Sequence, residues 1–279
     1  MVCDNHYAIL LAALISSIDV NHVSGENIEV FVIDDHISTY NKKRIVDSAC
    51  SGKMTFHWIP MAQAIPVGTT LPIVRNSYPL NIFLRLFIPY FIPKDIKRVI
   101  NMDVDMIVLD DIANLWRIDI GEAIVGAVTD QVTENIGNGV ANYSDLGLDP
   151  KAKYLNAGLL LINAEYWREI DATNRIIEII NNNKRHAKLG DQYGLNVGLY
   201  GRWFELDPLW NCFSTSNHPK PNIIHYFHRK PIYKTYANNY QDVFEYYLQQ
   251  TPFRDTKKIT ETRRYLKKIR NLLQKLKFS

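Results

Sequence analysis

Asp103 and Asp105 end an apolar run of Val99, Ile100 and Met102 in the segment NMDVDMIVLDD. Ionised carboxylates drawn into the interior of a fold cost several kcal/mol unless a positive group meets them, and a bound cation is the simplest such partner. Alternate residues of an extended strand face the same way, and a slight bend at the strand end lets both carboxylates converge on one metal. The same letters also serve as a turn that closes a strand, so the motif takes its meaning from context.

That context is an alternation of strand and helix. Tyr7 to Ile18 reads as a buried helix, Ile28 to Ile33 as a strand ending in Asp34 and Asp35, and Ser38 to Ala49 as a capped helix. Met54 to Trp58 is the next strand, and Pro60, Pro66, Gly68 and Pro72 mark a loop. Pro79 to Ile92 reads as one apolar helix around Arg85, and Val99 to Val108 as strand material broken by the acidic pair. Further strands are expected at Ala123 to Val128 and Leu159 to Ile162, and helices at Ala164 to Ile180 and Asp191 to Tyr200. The order predicts an α/β fold with a mostly parallel mixed sheet flanked by helices. In such sheets ligands sit at the carboxyl ends of strands, where Asp103 and Asp105 fall. The strand expected before the first helix has only Met1 to Cys3 to draw on, a shortfall that a late start of the chain would explain.

With 279 residues and 47% hydrophobic content, the chain can bury one large core. We expect one domain over residues 1–250 and a basic amphipathic helix over 251–279. Cys3, Cys50 and Cys212 are odd in number and widely spaced, which argues against a disulfide framework or a zinc ribbon and for a reducing cytosol. The apolar segment from Tyr7 has a signal-like length, but no Lys or Arg precedes it and it is too short to span a bilayer.

Charge is unevenly spread. Lys257 to Lys277 holds nine Lys and Arg against Glu261, a local balance of +8 within a net +3, so the rest carries −5. A mildly acidic body with a basic tail is not the footprint of a nucleic-acid binder. Tyr265 or Leu266, Ile269, Leu272 or Leu273, and Leu276 recur at helical spacing, which suits an anionic membrane surface and a peripheral place at the inner face of the cytoplasmic membrane. A terminal helix docked on its own domain, with its basic face in water, has the same pattern.

His225 ends a second apolar run in NIIHYFHRKP. An imidazole beside two carboxylates makes a three-ligand set, and one nitrogen among oxygens suits Mn²⁺ better than Mg²⁺ or Ca²⁺. Lys230, five residues on, can meet phosphate as a point charge, with His228 and Arg229 adding positive character. An ordinary basic loop is the plainer alternative.

The segments CDNHYA, FLRLFIP, NMDVDMIV, LGLDPKAKYLNAGLLLINAEYWR, GDQYGLN and IIHYFHRKP, in this order over residues 3 to 231, resemble glycosyltransferase family 8, a group of retaining, metal-dependent sugar transferases. The resemblance implies a GT-A fold, a UDP-hexose donor such as UDP-galactose or UDP-glucose, and Mn²⁺ or Mg²⁺ held by Asp103, Asp105 and His225. It implies a glycan or lipid-linked glycan acceptor, as in lipopolysaccharide synthesis. It further implies donor contacts at Asp4, Tyr7, Arg85, Val104, Asn156, Ala157 and Lys230, and sugar-side catalytic roles for Gln192, Asp191 and Asp130. Three segments depart from the family pattern, the first being the start, where Asp4 is followed by Asn5, His6 and Tyr7 in place of two acids, then Asn, then Tyr. Tyr193 stands where an acid follows the Asp-Gln pair, the His225 to Lys230 loop is one residue shorter with His228 near the glycine position, and Ile232 follows Pro231. A metal phosphohydrolase would also want clustered Asp and His, though usually with more acids for a second metal. A binder that holds a sugar nucleotide without transferring it is a third reading.

Overall fold

A computed structural model describes residues 1–66, 69, 71–72, 80–262, 265–266 and 269, with the backbone alone at 80 and 81. Part of the loop expected around Gly68 and most of the basic helix expected to run to Lys277 lie outside the described residues. In chain order the elements are β1 (Val2–Asp4), α1 (Ala8–Asn21), β2 (Ile28–Asp35), α2 (Thr39–Val46), β3 (Met54–Pro60) and α3 (Met61–Ala64). A 3₁₀ helix (Leu80–Phe87) leads into α4 (Ile88–Phe91), β4 (Arg98–Met102), β5 (Met106–Val108), α5 (Ile112–Trp116), β6 (Val125–Thr129) and α6 (Ile136–Gly139). Then come β7 (Leu155–Asn163), α7 (Ala164–Glu169), α8 (Ala172–Asn182), α9 (Asp191–Gly198), β8 (Trp203–Glu205), β9 (Cys212–Phe213), β10 (Ile223–His225) and α10 (Gln241–Gln249). No described helix is long and apolar enough to cross a membrane.

The chain divides into two compact units. The first comprises Met1–Gln63, Met102–Ile118 and Leu209–Lys267, and the second is built on Ala64–Asn101 and Asp119–Pro208. In the first, α1 is buried without a break from Ala8 to Ile18, as expected of a helix apolar on every side. Asn21 ties its end to the Val108 carbonyl at 2.9 Å and the Tyr247 hydroxyl at 2.8 Å, so α1 is pinned to β5 and α10. Ser38 starts α2 by accepting the Asn41 N–H at 3.2 Å. Sheet order β1-β2-β3 is parallel throughout, with Val2 opposite Ile33 and Ile28 opposite Met54. The short strand at the start is thus formed, with Asp4 opposite Asp35. A second sheet, β5-β10-β9, pairs β10 antiparallel with β5 and parallel with β9.

The second unit has the sheet β4-β7-β6-β8, with β6 antiparallel to β7 and parallel to β8. Leu155 to Ile162 in β7 is buried at every residue; a strand covered on both faces reads as a continuous apolar run rather than an alternation. Gly194 lets α9 approach α8, since a Cβ there would lie 2.6 Å from Ile180.

Three expectations change. The strand material from Val99 to Val108 forms two strands in different sheets. The single helix around Arg85 is a 3₁₀ helix followed by α4, because Pro89 has no N–H to continue an α-helical ladder and fits only in a first turn. The helix from Ala164 breaks at Asp171, whose φ of 51° is left-handed, and resumes as α8. An Asp tolerates that conformation better than most residues, and its carboxylate accepts from Asn174 at 3.0 Å.

Candidate metal centre and sugar-side network

In the first unit, the antiparallel pairing of β10 with β5 sets His225 opposite Met106, and the Tyr226 N–H donates to the Asp105 carbonyl at 2.9 Å. This register carries the imidazole to the acidic pair. One ligand atom from each of Asp103, Asp105 and His225 lies within 4.8 Å of the others. Asp105 Oδ1 is 3.4 Å from His225 Nε2 and is buried with no hydrogen-bond donor. A buried carboxylate oxygen left in that state calls for a cation, so the donor set fits one. On the far side of the ring, His225 Nδ1 donates to Asn211 Oδ1 at 2.9 Å. An amide oxygen only accepts, so the ring proton sits on Nδ1 and the Nε2 lone pair faces the cluster. Phe213 packs edge-on against the imidazole at 5.4 Å.

Lys230 pairs with Asp105 Oδ2 and donates to the Tyr226 carbonyl at 2.8 Å. Burial pushes the Asp105 carboxyl up, but the charge of Lys230, foremost among its neighbours, helps hold it well below the usual carboxylate range. Val104, between the two acids, is buried. Asp4 accepts the Tyr7 N–H at 2.9 Å. Burial raises the Tyr7 hydroxyl, helped by Tyr233, Asp4 and Asp105, so it is a neutral donor. The backbone of His228 has φ 57°, so the residue near the family's glycine position adopts the conformation that glycine favours.

The second unit gathers the other expected residues. Arg85 Nε meets Asp191 Oδ2 at 2.8 Å, and Arg85 Nη1 donates to the Ala157 carbonyl. Asp191 lies in the first turn of α9, where the helix dipole favours a carboxylate. Asp130 is 3% exposed and accepts from the N–H groups of Val132 at 3.0 Å and Thr133 at 2.8 Å, from Asn156 Nδ2 at 2.7 Å and from Gln192 Nε2 at 3.2 Å. Gln192 Oε1 accepts the Ala157 N–H at 3.1 Å. Both ends of the Gln192 amide are therefore held. Tyr193, by contrast, turns into the core and donates to Asn142 Oδ1 at 2.9 Å, so its departure from the family acid is a packing feature. Asn211 and Tyr233 carry no sequence signal: neither lies in a periodic run or a motif.

Sheets of mixed pairing flanked by helices give this chain the GT-A fold of glycosyltransferases. The chain belongs to glycosyl transferase family 8, whose family model matches residues 1–240. General stress protein A of Bacillus subtilis (strain 168) is 31% identical over 215 residues, covering 75% of this chain and 71% of that protein. The probable glycosyl transferase Gly of Streptococcus gordonii is 29% identical over 183 residues, 62% of this chain; the match spans only 25% of that longer relative. Among solved structures, the galactosyltransferase LgtC in complex with donor and acceptor sugar analogs superposes with a TM-score of 0.74 at 23% identity, over 90% of this chain and 95% of that one. The apo bifunctional glycosyltransferase WbbM gives 0.76 at 22%, over 91% and 49%. At these identities the structural likenesses establish the fold.

Proposed function

We propose that the protein is a retaining hexosyltransferase that moves galactose or glucose from a UDP-hexose to a glycan or lipid-linked glycan acceptor, in the synthesis of lipopolysaccharide or another surface polysaccharide. The observation that carries this reading is the donor set of Asp103, Asp105 and His225, with the unpartnered Asp105 oxygen and the imidazole oriented by Asn211. Mn²⁺ suits two carboxylates and one nitrogen, with Mg²⁺ second. Such an ion, when bound, supplies positive charge against the diphosphate as it departs. Lys230 adds a fixed ammonium to the same task. Asp4 and Tyr7 take the nucleoside role that the family resemblance gives them. Arg85, Asn156, Ala157, Asp191, Gln192 and Asp130 take the sugar-side role.

Gln192 is an amide with both ends hydrogen-bonded, so it orients and stabilises rather than attacks. Retention then follows from front-face entry: the acceptor hydroxyl approaches on the side the diphosphate leaves, and a diphosphate oxygen takes its proton. The basic segment from Lys257 to Lys277 is proposed to hold the enzyme at the anionic inner face of the cytoplasmic membrane. A donor screen with Mn²⁺, reading released UDP with and without acceptor, tests the reading. Release that depends on acceptor and an α-linked product support it. Acceptor-independent release would mark a hydrolase, no release a binder, and a β-linked product would end the retaining assignment.

A further inference from the structure

β10 is not the sole support of the loop that carries Lys230. A segment from beyond α10 lies along it: the Lys234 N–H donates to the Ile259 carbonyl at 3.0 Å, and the Ile259 N–H to the Ile232 carbonyl at 2.8 Å. Two residues on, Glu261 reaches both flanks of the loop. Its Oε1 accepts from Arg229 Nη1 at 2.9 Å and from Thr235 Oγ1 at 2.6 Å, and its Oε2 from Arg229 Nη1 at 3.2 Å. Arg229 and Glu261 are 30% and 33% exposed, so solvent screens the pair only in part. Between the two anchors lie Lys230 and Tyr233, whose hydroxyl meets His6 Nε2 at 3.0 Å. The left-handed backbone of His228, next to Arg229, is uncommon for a residue with a side chain. Such a conformation persists only where surrounding contacts over-determine it.

We infer that Glu261 is a positioning residue: it clamps Arg229 and Thr235 so that the loop holds Lys230 where it meets the diphosphate of a nucleoside diphosphate. This rests on the reading of Lys230 given above. Opening the clamp lets the loop sample other shapes, and apparent affinity falls by the fraction of molecules that keep the competent one. The loss falls most on the diphosphate, because Arg229 adjoins Lys230, whereas the loop reaches the nucleoside side only through Tyr233 and His6.

The test is calorimetric titration of the full chain with UDP in the presence of Mn²⁺, with uridine binding followed by ligand-observed NMR. Glu261→Ala is expected to weaken UDP about tenfold and Thr235→Val about threefold, with Glu261→Gln between them and uridine weakened less than UDP in all three. Lys230→Ala serves as the reference for loss of the diphosphate contact. If Lys230→Ala weakens UDP while the Glu261 and Thr235 variants bind as the wild type does, the clamp is refuted and the reading of Lys230 stands. If Lys230→Ala binds UDP normally, that reading fails first. Equal loss of uridine and UDP in Glu261→Gln or Thr235→Val also overturns the inference, since a general disturbance of the fold would do that. Should Glu261→Ala fail to fold, the Gln and Thr235 variants decide.

Discussion

Replacing Asn211 by alanine tests the metal centre without touching a ligand. Asn211 is 1% exposed and His225 6% exposed, so no water stands ready to replace the lost amide oxygen. The Nδ1–H that now donates at 2.9 Å would be left buried without an acceptor, at a cost of about 1–3 kcal/mol of stability. The ring has one escape: to carry its proton on Nε2, which turns the lone pair away from Asp103 and Asp105. Losing an outer partner of a ligating imidazole typically costs about 10–100-fold in metal affinity, or roughly 1.4–2.8 kcal/mol. Asn211→Asp keeps an acceptor and makes it anionic, so its affinity for Mn²⁺ should equal or exceed that of the wild type. Calorimetric titration with Mn²⁺ reads the affinity, and urea unfolding of the ion-free protein reads the stability. Mn²⁺ affinity in Asn211→Ala within twofold of the wild type, alongside a clear loss in Asp105→Asn, would refute the orienting role.

Asp103→Asn and Asp105→Asn should each lower metal-dependent turnover by roughly a hundredfold or more, measured as UDP release; full activity after exhaustive chelation would contradict the site. Asp111 supplies a pH dependence. Burial raises its carboxyl, but the Ser24 hydroxyl, the Ala113 N–H and His22 outweigh burial and hold it well below the usual range. A carboxyl depressed in the folded state contributes stability that is fully present above its unfolded value, about pH 4, and is lost as pH falls toward the folded one. The stability gap between wild type and Asp111→Asn, from urea unfolding, should therefore shrink between pH 6 and pH 3, and a constant gap would count against it. Deleting residues 263–279 removes seven Lys and Arg while sparing Glu261. At about 1 kcal/mol for each basic residue near an anionic leaflet, it should release the protein from anionic vesicles in sedimentation, and unchanged binding would favour a docked helix.

Local pattern alone determined much of this protein. The apolar run from Ala8 to Ile15 in α1, the Ser38 cap of α2 and the strand endings at Asp35 and Met102 are legible because each depends on neighbours within a few residues. The family segments also pointed to Arg85, Asp130, Asn156, Asp191 and Gln192, which the structure joins in one hydrogen-bonded network. The interruptions at Pro89 and Asp171 were harder to read, since hydrophobic periodicity runs straight through both while one missing N–H or one left-handed residue breaks the ladder. Only tertiary structure decided that the strand material around the acidic pair splits between two sheets, and that β10 sets His225 against Asp105. The same holds for the contact of Asn211 with the imidazole and the reach of Glu261 to both flanks of the Lys230 loop. The physical reason is range: periodicity and capping act over a turn or a strand, whereas a ladder register or a buried side-chain hydrogen bond joins residues far apart in the chain and leaves no periodic mark on either.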